Sequence, residues 1–111
     1  MLDSVRLGEN TGLRVSKLCL GTMNFGEPGR GHQGDWTLGT DKARPIFKAA
    51  IEQGVNYFDC ADIYGIGASE LVVGQVLKEL LSRDEYVLTT KVSMPMGRAA
   101  NQGGLPRKHI L

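Results

Sequence analysis

The chain has 111 residues, 13 lysines and arginines against 12 aspartates and glutamates, and a formal net charge of +1. That length suits a single domain, and the balanced charge gives no electrostatic case for nucleic acid or an anionic membrane as partner. No apolar run approaches the roughly 20 residues that a membrane helix needs. The opening segment, Met1-Leu-Asp-Ser-Val-Arg6, has neither the basic nor the apolar region of a signal peptide. A cytoplasmic chain is therefore expected. Cys19 and Cys60 fall inside expected strands without metal-ligand spacing. They read as two buried, reduced thiols, and no metal is expected.

Val5, Leu7, Leu13 and Val15 alternate with polar residues on either side of Glu9-Asn-Thr-Gly12. This predicts a β-hairpin over 5–16 with a glycine-containing turn. Lys17 to Met23 reads as a short buried strand ending in glycine. Residues 24–40 form a long glycine-rich segment, and loops above about 12–15 residues are usually lids or disordered. Phe25 and Trp36 argue against plain disorder here. A helix is predicted from Thr40 or Asp41, both good N-caps. Ala43, Ile46, Phe47, Ala50 and Ile51 give it one apolar face. Pro45 must then lie within about the first turn, or the helix begins later than Asp41, and Gly54 closes the helix.

A strand follows over Tyr57 to Ala61. Ser69 and Glu70 open a second helix, in which Val73, Val76, Leu77, Leu80 and Leu81 repeat the apolar spacing. A third strand runs from Tyr86 to Val92. Ser93 to Gly104 is a loop, and Pro106 to Leu111 reads as the first turn of a third helix. Alternating β and α elements imply an α/β fold with a parallel sheet and right-handed crossovers. Parallel strands present ligands at their C-terminal ends. Asp59, Tyr64, Lys91 and the Gly21-Thr22-Met23 corner all lie at such ends and are expected to share one mouth.

Gly65-Ile-Gly-Ala-Ser-Glu70 follows a strand and opens a helix, as a dinucleotide fingerprint would. Glu70 stands where a small residue is needed, and its carboxylate would repel a pyrophosphate. A turn-forming glycine pair is the better reading. A tyrosine at a strand end is often packing, and a lysine is often merely solvated. Together, however, Asp59, Tyr64 and Lys91 meet a chemical need. Hydride transfer to a carbonyl creates an alkoxide that must receive a proton. A free tyrosine, with a pKa near 10, is a poor acid at neutral pH. A nearby ammonium favours its phenolate form, and a carboxylate holds that ammonium in place. On the residues alone, both the packing and the catalytic readings stand.

Leu20-Gly-Thr-Met23, Phe58-Asp-Cys-Ala-Asp-Ile-Tyr-Gly65, Ser69-Glu70 with Val73-Gly74, and Thr90-Lys-Val92 resemble the aldo-keto reductases. The insertion carrying Gly26-Glu-Pro28 and Trp36-Thr-Leu38 is most similar to the bacterial members related to potassium-channel β subunits. The resemblance implies a (β/α)8 TIM barrel, preceded by a β-hairpin, that uses NADPH to reduce a small-molecule aldehyde or ketone. Tyr64 would be the general acid, Lys91 would lower its pKa, and Asp59 would pair with Lys91. Gly21, Thr22, Met23 and Asp59 would border the cofactor. Phe25 and Trp36 would line the substrate pocket or pack as core and lid.

The resemblance also leaves gaps. The family's tetrad ends in a histidine after the fourth barrel strand. His32 lies in the long loop and His109 at the start of the third helix, so neither inherits that role. A barrel takes about 250 residues. With about three of eight barrel strands, residues 1–111 are expected to be an incomplete domain: the hairpin, then the first β/α units and the start of the third helix over 17–111. Such a fragment is expected to be marginally stable and nearly inactive by itself. Two other readings compete: a non-catalytic binding or regulatory module of the same fold, or the relic of a truncated gene. Retention of Asp59, Tyr64 and Lys91 favours the enzyme. Neither the particular carbonyl nor the oligomeric state can be read from the sequence.

Overall fold

The computed structural model describes residues 2–111. A two-stranded antiparallel hairpin, β1 (Ser4–Arg6) and β2 (Arg14–Ser16), opens the chain with Val5 opposite Val15. Three short strands then form one parallel sheet in the order β3 (Leu20–Gly21), β4 (Tyr57–Asp59), β5 (Val87–Thr89). Two helices, α1 (Thr40–Glu52) and α2 (Ala68–Leu80), connect the strands and pack on each other. A four-residue α3 (Arg107–Ile110) ends the chain. The sheet formed by the described residues does not close into a barrel.

The core lies between the sheet and the two helices. Phe47 of α1 stacks on Phe58 of β4 with ring centroids 5.4 Å apart and planes 3° from parallel. Phe25 from the long loop meets the edge of Phe47 at 5.1 Å, and Tyr86 meets Phe58 at 6.4 Å. Val72, Val73, Val76 and Leu77 of α2 close the cluster. Offset and edge-on ring pairs of this kind add to the area that the rings remove from water. The long loop is ordered by the same packing. Phe25 bridges to Leu38 in parallel fashion and is 4% exposed, whereas Trp36 remains half exposed. Phe25 is therefore core.

Several element boundaries differ from the sequence expectation. The three parallel strands are shorter than 17–23, 57–61 and 86–92, with β3 and β5 trimmed at both ends, although single inter-strand bonds continue past them from the Thr22, Cys60 and Asp62 N–H groups to the Asp59, Thr89 and Lys91 carbonyls. α1 begins at Thr40 with Gly39 as its N-cap, and α2 begins at Ala68 with Gly67 as its N-cap. The expected polar caps thus lie one or more residues inside the helices. Pro45 sits in the second turn of α1 rather than the first and leaves the Asp41 carbonyl without its ladder partner. Gly54, at φ +98°, closes α1 as expected. Its N–H bonds the Ile51 carbonyl, and the Val55 N–H bonds that of Ala50, the Schellman arrangement. Leu81 lies just beyond α2 but still packs on the core. Cys60 is buried, whereas Cys19 is exposed. Leu20 leans toward the helices, so its neighbour Cys19 faces the opposite, uncovered side of the sheet.

Phe58 is fully buried at the centre of the aromatic cluster. Phe58→Ala is expected to lower the free energy of unfolding by about 3–5 kcal/mol, read as a loss or strong shift of the denaturant transition. A change below about 1 kcal/mol would show that the stack does not hold the helices to the sheet.

Candidate active site

Alternation along the strands places the polar groups. Phe58 and Leu88 pack toward the helices, so Asp59 and Thr89 project from the other face. The register pairs Gly21 with Asp59 and Asp59 with Thr89, setting these residues in one row across the sheet. Thr89 Oγ1 donates to Asp59 Oδ1 at 2.8 Å. Lys91, two residues past β5, donates from Nζ to Asp59 Oδ2 at 2.7 Å and to the Cys60 carbonyl at 2.7 Å. The same ammonium lies 5.3 Å from the centroid of the Tyr64 ring, within cation–π range. Asp59, Tyr64 and Lys91, separated by up to 32 positions in sequence, thus meet at one point.

The charges are matched to that geometry. Burial pushes the Asp59 carboxyl up, but the hydrogen bonds from Lys91 and Thr89 and the Lys91 charge outweigh it. The group is held below the ordinary carboxylate range. Burial pulls Lys91 down, while the bond to Asp59, its charge and the neighbouring Tyr64 carry it above the ordinary lysine value.

The Gly21-Thr22-Met23 corner stands beside this cluster. Thr22 is fully buried. Its N–H and its Oγ1 both donate to the Asp59 carbonyl, at 3.0 and 2.8 Å, and its own carbonyl accepts from Ser69 Oγ at 2.7 Å. Thr22 therefore holds the corner through inward bonds and has no free side-chain oxygen to offer a ligand. Met23 is 46% exposed, and the space beside the Gly21 Cα is open. Those two residues and the Asp59–Lys91 pair border an accessible, polar-rimmed surface. A flat ring with a polar edge fits such a surface, so the residues are compatible with a nicotinamide group. The turn at Gly65–Gly67 does not fit a phosphate. The N–H groups of Ile66, Gly67, Ala68 and Ser69 already bond the carbonyls of Ile63, Asp62, Gly65 and Tyr64. Glu70, at the start of α2, accepts from Thr90 Oγ1 at 2.7 Å.

Thr89 carries no signal in the sequence beyond its place near a strand end, and Ser69 reads there only as a helix opener and part of a motif; their partners are revealed only by the folded register. His109 packs against Asp62, with Nε2 at 3.8 Å from Oδ2 and both side chains largely buried. Asp62 lies on the loop between Asp59 and Tyr64, so His109 sits against that loop outside the cluster, its buried Nε2 making no hydrogen bond among the described residues. His32 is exposed in the long loop. Among the described residues, no group of three or more His, Cys, Asp or Glu side chains is placed to hold a metal, and no helix is long and apolar enough to cross a membrane.

The Aldo/keto reductase family matches residues 17–111. The chain belongs to this family. It is 34% identical over 128 residues to the versiconal hemiacetal acetate reductase of Aspergillus parasiticus, covering 99% of this chain and 36% of that protein. It is 39% identical over 104 residues to a potassium-channel-β-subunit-like protein of Schizosaccharomyces pombe, covering 91% and 28%. Among solved structures, the holo form of the aldo-keto reductase AKR11C1 from Bacillus halodurans superposes with a TM-score of 0.66 at 32% identity, over 88% of this chain and 29% of that one. The fold is therefore the opening part of an aldo-keto reductase barrel. This aldo-keto reductase chain spans about a third of the length of the relatives it matches.

The Asp59–Lys91 side chains are 39% and 50% exposed, so the pair is expected to contribute only about 0.5–1 kcal/mol. Asp59 is depressed in the fold, so its share is present above the unfolded carboxylate pKa and is lost as pH falls through the lower, folded value. Lys91 is raised, so its share is present below the unfolded lysine pKa and is lost as pH rises through the higher, folded value. Asp59→Asn is expected to shrink both limbs of the curve of stability against pH, leaving the share of Tyr64 in the Lys91 limb and that of other depressed carboxylates in the acid limb. Unchanged limbs would assign them to other groups.

Proposed function

We propose that the protein carrying this chain reduces an aldehyde or ketone to an alcohol with NADPH. The observation that carries the reading is the Lys91 ammonium, fixed by Asp59 and set against the Tyr64 ring. Retention of all three residues in a family whose relatives include reductases adds support. When bound, the dihydronicotinamide supplies hydride to the carbonyl carbon. The residues present here act on the oxygen. Tyr64 donates its hydroxyl proton as negative charge develops there. Lys91 favours the negative charge left on the phenolic oxygen, because an ammonium close by in a partly desolvated site stabilises an anion. Asp59 keeps that ammonium charged and positioned, and Thr89 fixes the second carboxylate oxygen so that the pair cannot rotate. Gly21 and Met23 would border the nicotinamide end of the cofactor, with Thr22 holding their corner.

Domain assignment follows the same proposal. Residues 5–16 form an introductory hairpin, and 17–111 supply the first β/α units of the catalytic barrel. The likeness to a channel-β-subunit-like protein supports a second reading, a binding or regulatory module. The intact Asp59–Lys91–Tyr64 geometry favours catalysis, because a module has no need of a fixed ammonium beside a phenol.

Carbonyl-dependent NADPH oxidation by the full-length protein tests the reading. Tyr64→Phe, which keeps the ring but removes the proton, is expected to lower kcat by about 10²–10⁴-fold with little change in cofactor affinity. Wild-type turnover by Tyr64→Phe would overturn the role given to Tyr64. Stoichiometric NADPH binding without any carbonyl turnover would favour the module.

A further inference from the structure

The long loop over 24–39 encloses two polar side chains almost fully, Thr37 and Gln33, and only Gln33 reaches across to a second loop. Gln33 is 2% exposed. Its Nε2 donates to the carbonyls of Met23 at 3.0 Å and Phe25 at 2.8 Å, and its Oε1 accepts from the Glu27 N–H at 3.0 Å. Both amide hydrogens and the amide oxygen are thus used to fix the backbone that leaves the Thr22–Met23 corner. The same amide lies directly over Gly65, the residue after Tyr64. A methyl group on Gly26 or on Gly65 would overlap it. The amide is therefore wedged between the two loops, in space that only two glycines leave free.

Two neighbours reinforce the wedge. Arg30 Nη2 donates to the Ile66 carbonyl at 3.2 Å, and Gly31 sits against the Ile66 side chain. Ile66 has φ +49°, between Gly65 at +59° and Gly67 at +89°. A β-branched residue adopts that left-handed conformation only under constraint. Bonds within the turn, from the Ile66 and Gly67 N–H groups to the Ile63 and Asp62 carbonyls, hold it, and the loop presses on it at Gly65 and at Ile66. The turn begins at Tyr64, whose carbonyl accepts from the Ser69 N–H.

We infer that Gln33 is a positioning residue, which sets the Met23 corner and the Tyr64 turn at a fixed separation. It touches no reacting group itself. It acts through Met23 on the cofactor side and through Gly65 on the proton-donor side. Its kinetic consequence rests on the carbonyl-reductase reading, but the mechanical tie does not.

Hydrogen exchange and steady-state kinetics of the full-length protein, compared with Gln33→Ala and Gln33→Met, test this. Methionine keeps the length of the side chain and loses its hydrogen bonds. In both variants, exchange at Glu27 and across 64–69 is expected to rise together by about 10-fold, the scale of one lost hydrogen bond. Helix α1 should be unchanged. The KM for NADPH is expected to rise and kcat to fall by about 10–100-fold, as misplacement of reacting groups does. The shape of the pH profile should stay the same, because no titrating group is removed. Faster exchange confined to 24–33 would reduce Gln33 to a local clip and overturn the inference. So would a uniform rise through α1 and α2, or unchanged kinetics in an active protein. If the wild type binds NADPH but reduces no carbonyl, the reductase reading fails and the exchange pattern alone decides the tie. If neither variant folds, Arg30→Ala, on the more exposed contact to the same turn, is expected to raise exchange across 64–69. No change there would overturn the tie.

Discussion

The structure depends on Phe58 lying flat against Phe47. Strand side chains alternate, so a ring committed to the helices obliges the next residue, Asp59, to face the other way. A slip of one residue would drive a carboxylate into an aromatic core and a phenyl ring into water, and both moves are costly. The register of β4 is therefore fixed from both sides at once. The same logic holds in β5, where Leu88 packs inward and Thr89 outward. Because β4 and β5 pair Asp59 with Thr89, the hydroxyl lands on the carboxylate without any further device.

The polar cluster that results is a weak source of stability. Its charges are half exposed, and exposed pairs contribute little after screening and side-chain entropy. What the arrangement supplies is position. The Lys91 ammonium is held by two acceptors, Asp59 Oδ2 and the Cys60 carbonyl, and Asp59 in turn by two donors. A four-carbon side chain that would otherwise sample many rotamers is reduced to one place beside Tyr64. The arrangement thus constrains a charge closely while adding little stability.

Features that rest on periodicity could be read from the sequence. The apolar faces of α1 and α2, the hairpin, and the strand-end placement of Asp59 and Lys91 follow from spacings of about 3.6 and 2 residues. Gly54 was legible because a helix end followed by glycine has one common geometry. Boundaries were less legible. The polar residues near each helix start suggest caps, but the cap positions are Gly39, in ordinary extended backbone, and Gly67, whose left-handed φ of +89° favours glycine. Cys19 looked like core because it sits in an apolar run, and the run cannot say which face of the sheet is covered. Thr22 follows β3 at the Gly21–Met23 corner. That its hydroxyl turns inward to the Asp59 carbonyl is a property of two strands together, not of either one.

Gln33 could not have been found by these means. It lies in a loop with no period, among residues that read as solvated. Its significance appears only when Gly26 and Gly65, separated by 39 positions, are seen to vacate the same space. The glycine content of the long loop and the glycine after Tyr64 then become one constraint seen from two sides. A larger residue at either position would meet the Gln33 amide and push the loop off the turn. A segment that composition alone would assign to flexibility is, in its central part, packed between the Met23 corner and the turn that begins at Tyr64.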